Sequence, residues 1–157
     1  MTPVRAISPP NGSLSAKIDE KGRLKLPAKL QEYLLGLGEK TVFITTLDKT
    51  TARVYTHATW EENKVFLSNY REDPDWAEDV LFVANHFGAD AEMDDQGRVL
   101  VPQKLRNLLS LEGESVQLEC SPGVVNIYTQ ANYEERMGRA VTGLPDKVRS
   151  LRQKGLK

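Results

Sequence analysis

The stretch AKIDEKGRLKLPAKL at residues 16–30 recurs as AEMDDQGRVLVPQKL at residues 91–105, an offset of 75. Seven of the fifteen positions are identical. A second block, VYTHATWEE at 54–62, matches IYTQANYEE at 127–135 at an offset of 73. Two collinear blocks separated by a two-residue indel predict that the chain holds two copies of one module. Modules of this size bury little surface alone, so we expect them to pack together.

Each copy carries the same order of secondary-structure signals. A short strand leads into an Asp-x-x-Gly-Arg turn, a second strand alternates apolar and polar residues, and a proline opens a short helix. A pair of strands then follows, which we place at 41–46 with 52–56 and at 116–120 with 124–128. Each module therefore reads β-β-α-β-β, and the chain is predicted to be mainly β with helices, an α+β fold.

The repeat also divides the chain into segments. Between the copies, amphipathic patterns predict helices at 59–70, capped by Thr59, and at 75–86. After the second copy, only the first of these helices recurs, at 132–141, and the residues from 146 onward are either helical or disordered. We place an N-terminal extension at 1–14, a first module at 15–62, inter-module helices at 63–88, a second module at 89–135 and a basic C-terminal tail at 136–157.

The turn is the candidate functional feature. Asp19 can accept hydrogen bonds from turn amides, and Gly22 suits a position with positive φ. Arg23 then presents a planar fork that fits a phosphate or the edge of a guanine. The second copy repeats these positions as Asp94, Gly97 and Arg98. A stable hairpin whose arginine pairs with its aspartate would explain one copy, whereas two copies favour a functional surface.

Charge is distributed unevenly along the chain. The 21 basic and 22 acidic residues give a net charge of −1, which by itself argues against a nucleic-acid partner. However, residues 1–30 carry +4, residues 31–135 carry −11 and residues 136–157 carry +6. Phosphate contacts depend on the local field, because screening acts within ~8–10 Å. Lys17, Lys21 and Lys25 therefore join Arg23 as predicted phosphate contacts, and assembly would multiply these few contacts.

An enzyme is the main alternative from another class, and the residues give it little support. His57 and His86 are not spaced as metal ligands, and Cys120 lies in an apolar strand pattern. The carboxylates at 73–79 fit a solvated helix start. We therefore predict no catalytic residue, no metal and no cofactor. An antitoxin-like regulator or a protein-interaction barrel stays open as a further alternative.

The doubled motif resembles the MraZ family, which is built from paired SpoVT-AbrB modules. The resemblance covers residues 15–136. The residues that carry it are Asp19, Lys21, Gly22, Arg23 and Pro27 in the first module, and Asp94, Gly97, Arg98, Pro102, Leu105 and Arg106 in the second. The chain departs from the family pattern at Gln31, where the family often has the arginine that Arg106 keeps, and at Gln96, where a lysine is usual.

The resemblance implies a fold, a function and partners. The fold would be a pseudo-dimeric barrel of two AbrB-type swapped-hairpin modules. The function would be DNA-binding regulation of transcription at the division and cell-wall gene cluster, by a ring-shaped homo-oligomer whose Asp-x-x-x-Arg loops face repeated promoter boxes. The protein is then expected to be cytoplasmic and nucleoid-associated, without a signal peptide, a membrane partner or a small-molecule substrate.

Overall fold

Two antiparallel sheets form the framework of the chain. The computed structural model describes residues 7–157. Its elements, in chain order, are β1 Ser13–Lys17, β2 Arg23–Lys25, α1 Ala28–Gly36, β3 Thr41–Thr46, β4 Ala52–Thr56, α2 His57–Ser68, α3 Pro74–Phe87, β5 Ala89–Glu92, β6 Arg98–Leu100, α4 Gln103–Leu109, β7 Ser115–Ser121, β8 Val124–Thr129, α5 Gln130–Val141 and α6 Leu144–Lys154. The predicted α+β class is confirmed.

Strands from the two modules interleave in the larger sheet. The larger sheet has the order β1-β7-β8-β4-β3-β5, and β2 pairs with β6 in a separate two-stranded ribbon. The first strand of each module thus leaves its own module: β1 pairs with β7, and β5 pairs with β3. The two strands that flank a turn hardly pair with each other. In the first module, a single bridge joins Ile18 to Leu24. This exchange agrees with the swapped modules that the resemblance implied, while closure into a barrel stays a prediction.

The core lies between the larger sheet and the ribbon, and both modules supply it. Ile18, Leu24, Ile44, Val99 and Leu118 belong to one cluster and have at most 1% of their surface exposed. Each such side chain contributes roughly 1.5–3 kcal/mol on burial. Neither module could fill this cluster alone, so the two halves form one packing unit.

A smaller cluster covers the other face of the sheet. Trp60 on α2 is buried between Phe43 and Tyr55, with ring centroids at 4.7 and 5.1 Å. Ala84 on α3 completes this cluster. Trp76, which has no counterpart in the second copy, is 67% exposed.

Helix boundaries differ from the sequence prediction for identifiable reasons. Thr56, rather than Thr59, caps α2, because its hydroxyl accepts a hydrogen bond from the Thr59 amide at 3.2 Å. Thr129 caps α5 in the same way through the Asn132 amide, so both helices begin two residues before their predicted starts. The residues from 146 onward, predicted to be either helical or disordered, lie mostly in a helix, α6. None of the helices within residues 7–157 is long and apolar enough to cross a membrane.

Candidate nucleic-acid interface

The first turn is organised by the carboxylate of Asp19. Its Oδ1 accepts hydrogen bonds from the amides of Lys21 at 3.0 Å and Arg23 at 2.9 Å. Its Oδ2 accepts a hydrogen bond from the Arg23 side chain, Nε to Oδ2, at 2.8 Å. Gly22 takes a φ of +85°, a conformation that glycine adopts at little cost. The predicted turn roles of Asp19 and Gly22 fit this geometry.

The second turn repeats this arrangement bond for bond. Asp94 Oδ1 accepts from the amides of Gln96 and Arg98 at 2.9 Å, and Asp94 Oδ2 accepts from Arg98 Nε at 2.9 Å. Gly97 has a φ of +75°. The repeat in sequence is therefore also a repeat in side-chain geometry, including the Asp–Arg pair.

Hydrogen bonds to the two aspartates change their acidity. The amide of Arg23 chiefly, and then its guanidinium, hold the pKa of Asp19 below its ordinary 3.8, against the opposing effect of desolvation. The amide and guanidinium of Arg98 lower the pKa of Asp94 in the same way. Both carboxylates are therefore ionised near neutral pH and can orient their arginines.

The ribbon places both arginines on one surface. In the register of β2 and β6, Arg23 lies opposite Leu100, Leu24 opposite Val99, and Lys25 opposite Arg98. Because side chains alternate along a strand, Leu24 and Val99 point into the core, and the other four share the outer face. Arg23 and Arg98 are diagonal neighbours on that face, a relationship that separates residues by roughly 7–8 Å. Leu100 is 54% exposed there.

Each turn is supported by the helix of the other module. The Arg106 side chain on α4 lies against Gly22, and the Gln31 side chain on α1 lies against Gly97. Arg106 Nε donates to the Val101 carbonyl at 3.0 Å, and Gln31 Nε2 donates to the Leu26 carbonyl at 2.7 Å. Gln31 and Arg106 are equivalent positions of the repeat, at an offset of 75, which the sequence shows. Their contact with the turn of the other module is visible only in the structure.

The predicted lysines take different positions. Lys17 and Lys21 are exposed and border one shallow depression together with Arg23, although Glu20 lies there as well. Lys25 instead donates from its ammonium group to the Gln96 carbonyl of the second turn. The second turn has Glu92 and Gln96 where the first has Lys17 and Lys21, so the first turn is the more basic.

Known proteins place the chain in a family. No family profile matches it. The transcriptional regulator MraZ of Acidobacterium capsulatum is 33% identical over 123 residues, which cover 78% of this chain and 82% of the relative. The chain belongs to the MraZ family. The MraZ of Koribacter versatilis is 33% identical over 66% of the chain and 71% of the relative, and that of Acetivibrio thermocellus is 31% identical over 81% and 85%. The chain is therefore a member of a family of transcriptional regulators.

Outside the turns, the residues that could carry catalytic or metal chemistry are histidines, acidic residues and Cys120. Within residues 7–157, no group of three or more His, Cys, Asp or Glu side chains is arranged to hold a metal ion. Burial raises the pKa of the Cys120 thiol, with Glu119 adding to the effect, which disfavours a reactive thiolate. His57 is engaged with Asp90, Nε2 to Oδ1, at 3.0 Å.

Proposed function

We propose that this MraZ-family protein regulates transcription by binding double-stranded DNA through the outer face of the β2–β6 ribbon. Arg23 is the chief contact, and Arg98 makes the equivalent contact from the second module. Lys17, Lys21 and Lys25 add positive charge near the phosphates. Asp19, Gly22, Asp94 and Gly97 hold the two turns in shape.

The observation that carries this proposal is the way each arginine is held. Asp19 binds only the Nε edge of Arg23, and within residues 7–157 no acceptor binds the two terminal Nη groups. Arg98 is held in the same way by Asp94. A guanidinium fixed along one edge keeps its outer donors oriented for a phosphate or for the O6 and N7 atoms of guanine. The Asp–Arg ion pair thus orients the arginine and leaves its terminal donors free to bind DNA.

Affinity on this proposal comes from assembly. One subunit has a net charge of −1 and offers only a few basic side chains at the ribbon. Each phosphate contact changes the slope of log K against log salt by about 0.9, so a single subunit binds weakly and in a salt-sensitive way. We infer that several subunits in a ring-shaped homo-oligomer engage repeated promoter boxes, because linked weak contacts raise the overall affinity. The resemblance points to boxes upstream of division and cell-wall genes.

The test compares wild type with Arg23→Ala and Arg98→Ala on DNA from upstream of the protein's own gene, across a salt series. We expect both variants to bind DNA more weakly and to show a shallower slope of log K against log salt. The loss should be larger for Arg23→Ala, because the first turn is the more basic. Arg149→Ala is the matched control, since Arg149 is an exposed arginine on α6 that pairs with Asp146. Folded Arg23→Ala and Arg98→Ala proteins with wild-type affinity and slope would overturn the proposal.

A further inference from the structure

Three arginines meet in a pocket on the face of the sheet that lies away from the ribbon. Arg53 comes from β4, and Arg136 and Arg139 come from α5. Tyr128 and Asn132 also line this arginine pocket, as does the loop that precedes β4. Its volume of about 340 Å³ falls in the ~300–1,000 Å³ range of ligand pockets. Both modules contribute to it.

In the described part of the chain, the three guanidinium groups have no carboxylate partner, although Arg53 Nη1 donates to the Tyr55 hydroxyl at 3.4 Å. Within residues 7–157, none of them lies within 4.0 Å of a carboxylate oxygen. Arg53 Nε is buried without a hydrogen-bond partner, as is Oδ1 of Asn126, the residue opposite it on β8. An unsatisfied buried donor costs free energy.

Two carboxylates also border the pocket, and one is already engaged. Asp48 Oδ1 accepts hydrogen bonds from the amides of Thr50 and Thr51, both at 2.9 Å. Desolvation is the largest single effect on the pKa of Asp48 and raises it, but the hydrogen bonds from Thr51, Thr50 and Thr46 together outweigh it and lower the pKa, and they fix the loop at the rim. Glu135 is the second carboxylate, so the three arginines leave the lining with a net positive charge.

The sister pocket of the first module shows that the fold does not require Arg136 and Arg139. The offset of 73 that relates Tyr55 to Tyr128 places Asn63 opposite Arg136 and Phe66 opposite Arg139 in the repeat. Tyr55, Asn63 and Phe66 line a mainly apolar pocket beside α2 and α3, and Arg53 borders this pocket as well. The helix therefore contributes Asn63 and Phe66 to the pocket of one module and two arginines to the pocket of the other.

The arginine pocket is separated from the ribbon by the sheet. Ala52 and Val54 of β4 point into the core that the ribbon covers, so Arg53 points to the opposite face. Tyr128 alternates in the same way with the core residue Ile127. A phosphate held here does not belong to the DNA segment that the ribbon would contact.

We propose that the arginine pocket binds a phosphate-bearing small molecule, with Arg53, Arg136 and Arg139 as the anion ligands. Arginine forks bind phosphate oxygens in pairs, and three of them suit a group with more than one phosphate. The hydroxyl of Tyr128 and the side-chain oxygen of Asn132, whose Nδ2 donates to the Thr50 carbonyl at 2.7 Å, supply further polar groups for the rest of the ligand.

The test uses inorganic pyrophosphate as the probe and titration calorimetry on the full-length protein. We expect saturable binding with one site per chain, and at least a tenfold loss of affinity in the double variant Arg136→Asn/Arg139→Phe, which copies the sister pocket. The double variant Arg149→Asn/Arg152→Asn removes the same charge from α6 and should bind as wild type does. Absence of saturable binding, or equal losses in both double variants, would overturn the proposal.

A second arm separates a free ligand from the DNA backbone. The titration is repeated with the protein saturated with its promoter DNA, and with Arg23→Ala in the absence of DNA. We expect the pyrophosphate affinity to stay within threefold in both cases, because the sheet lies between the two sites. Displacement of pyrophosphate by DNA would contradict a free phosphorylated ligand. The Arg23→Ala measurement needs no DNA. The proposal for the pocket is therefore tested independently of the proposal for DNA binding by the ribbon.

Discussion

The guanidinium of Arg106 in one module lies directly over Gly22 in the turn of the other. A Cβ added at Gly22 would come within 2.4 Å of Arg106 Nε, and one added at Gly97 would come within 2.1 Å of the Gln31 side chain. The Leu26 amide also donates to the Gly97 carbonyl, and the Val101 amide donates to the Gly22 carbonyl, both at 2.9 Å. Each turn is thus shaped by its own aspartate and held in place by the opposite module.

Gly22→Ala should destabilise the protein for two reasons. A φ of +85° costs an alanine roughly 1–3 kcal/mol, and displacement of Arg106 adds a further loss. Gly113→Ala is the matched control, because Gly113 has a φ of +72° but no heavy atom near an added Cβ. Urea unfolding should show the larger loss for Gly22→Ala, and equal losses in both variants would argue against the Arg106 contact.

The local chemistry of the turns was predictable from the sequence, but their partners were not. Spacing alone indicated that Asp19 binds turn amides and that Gly22 needs positive φ, since both depend on residues within the turn. The strands at 41–46 and 52–56 were predicted with their observed bounds, because their apolar runs are bounded by turn residues. In contrast, β1 is short and polar and pairs with a strand about a hundred residues away, a choice that no local pattern encodes.

Leu24→Ala should lower the stability of both modules, which should then unfold in one transition. Leu24 is fully buried and pairs across the ribbon with Val99, so its truncation leaves a cavity in the shared core. We expect a loss of about 2–5 kcal/mol and a single cooperative transition by circular dichroism and tryptophan fluorescence. Leu100→Ala, on the outer face of the same ribbon, should change stability by less than about 0.5 kcal/mol. Two separate transitions in Leu24→Ala would show that the modules fold independently.

Acid should weaken the two turns through their aspartates. The pKa values of Asp19 and Asp94 are lower in the folded protein than the ordinary 3.8. Their ionised forms therefore stabilise the folded state above about pH 4, and this contribution is lost as the pH falls through the folded pKa values. Asp19→Asn/Asp94→Asn should be less stable at pH 7 and should show a flatter dependence of unfolding free energy on pH below 4. Asp95→Asn, in the same turn but outside these bonds, should keep the wild-type dependence.

Arg23→Lys should separate charge from geometry at the ribbon. A lysine keeps the positive charge, so the salt slope of DNA binding should remain near that of wild type. It lacks the planar fork that Asp19 holds by the Nε edge, so the orientation of the outer donors is lost. We expect affinity for promoter DNA to fall about tenfold or more, as for loss of one bidentate base contact, while affinity for unrelated DNA changes little. Competition binding at fixed salt measures the ratio of the two affinities. Equal losses on both DNAs would assign Arg23 to the phosphate backbone alone.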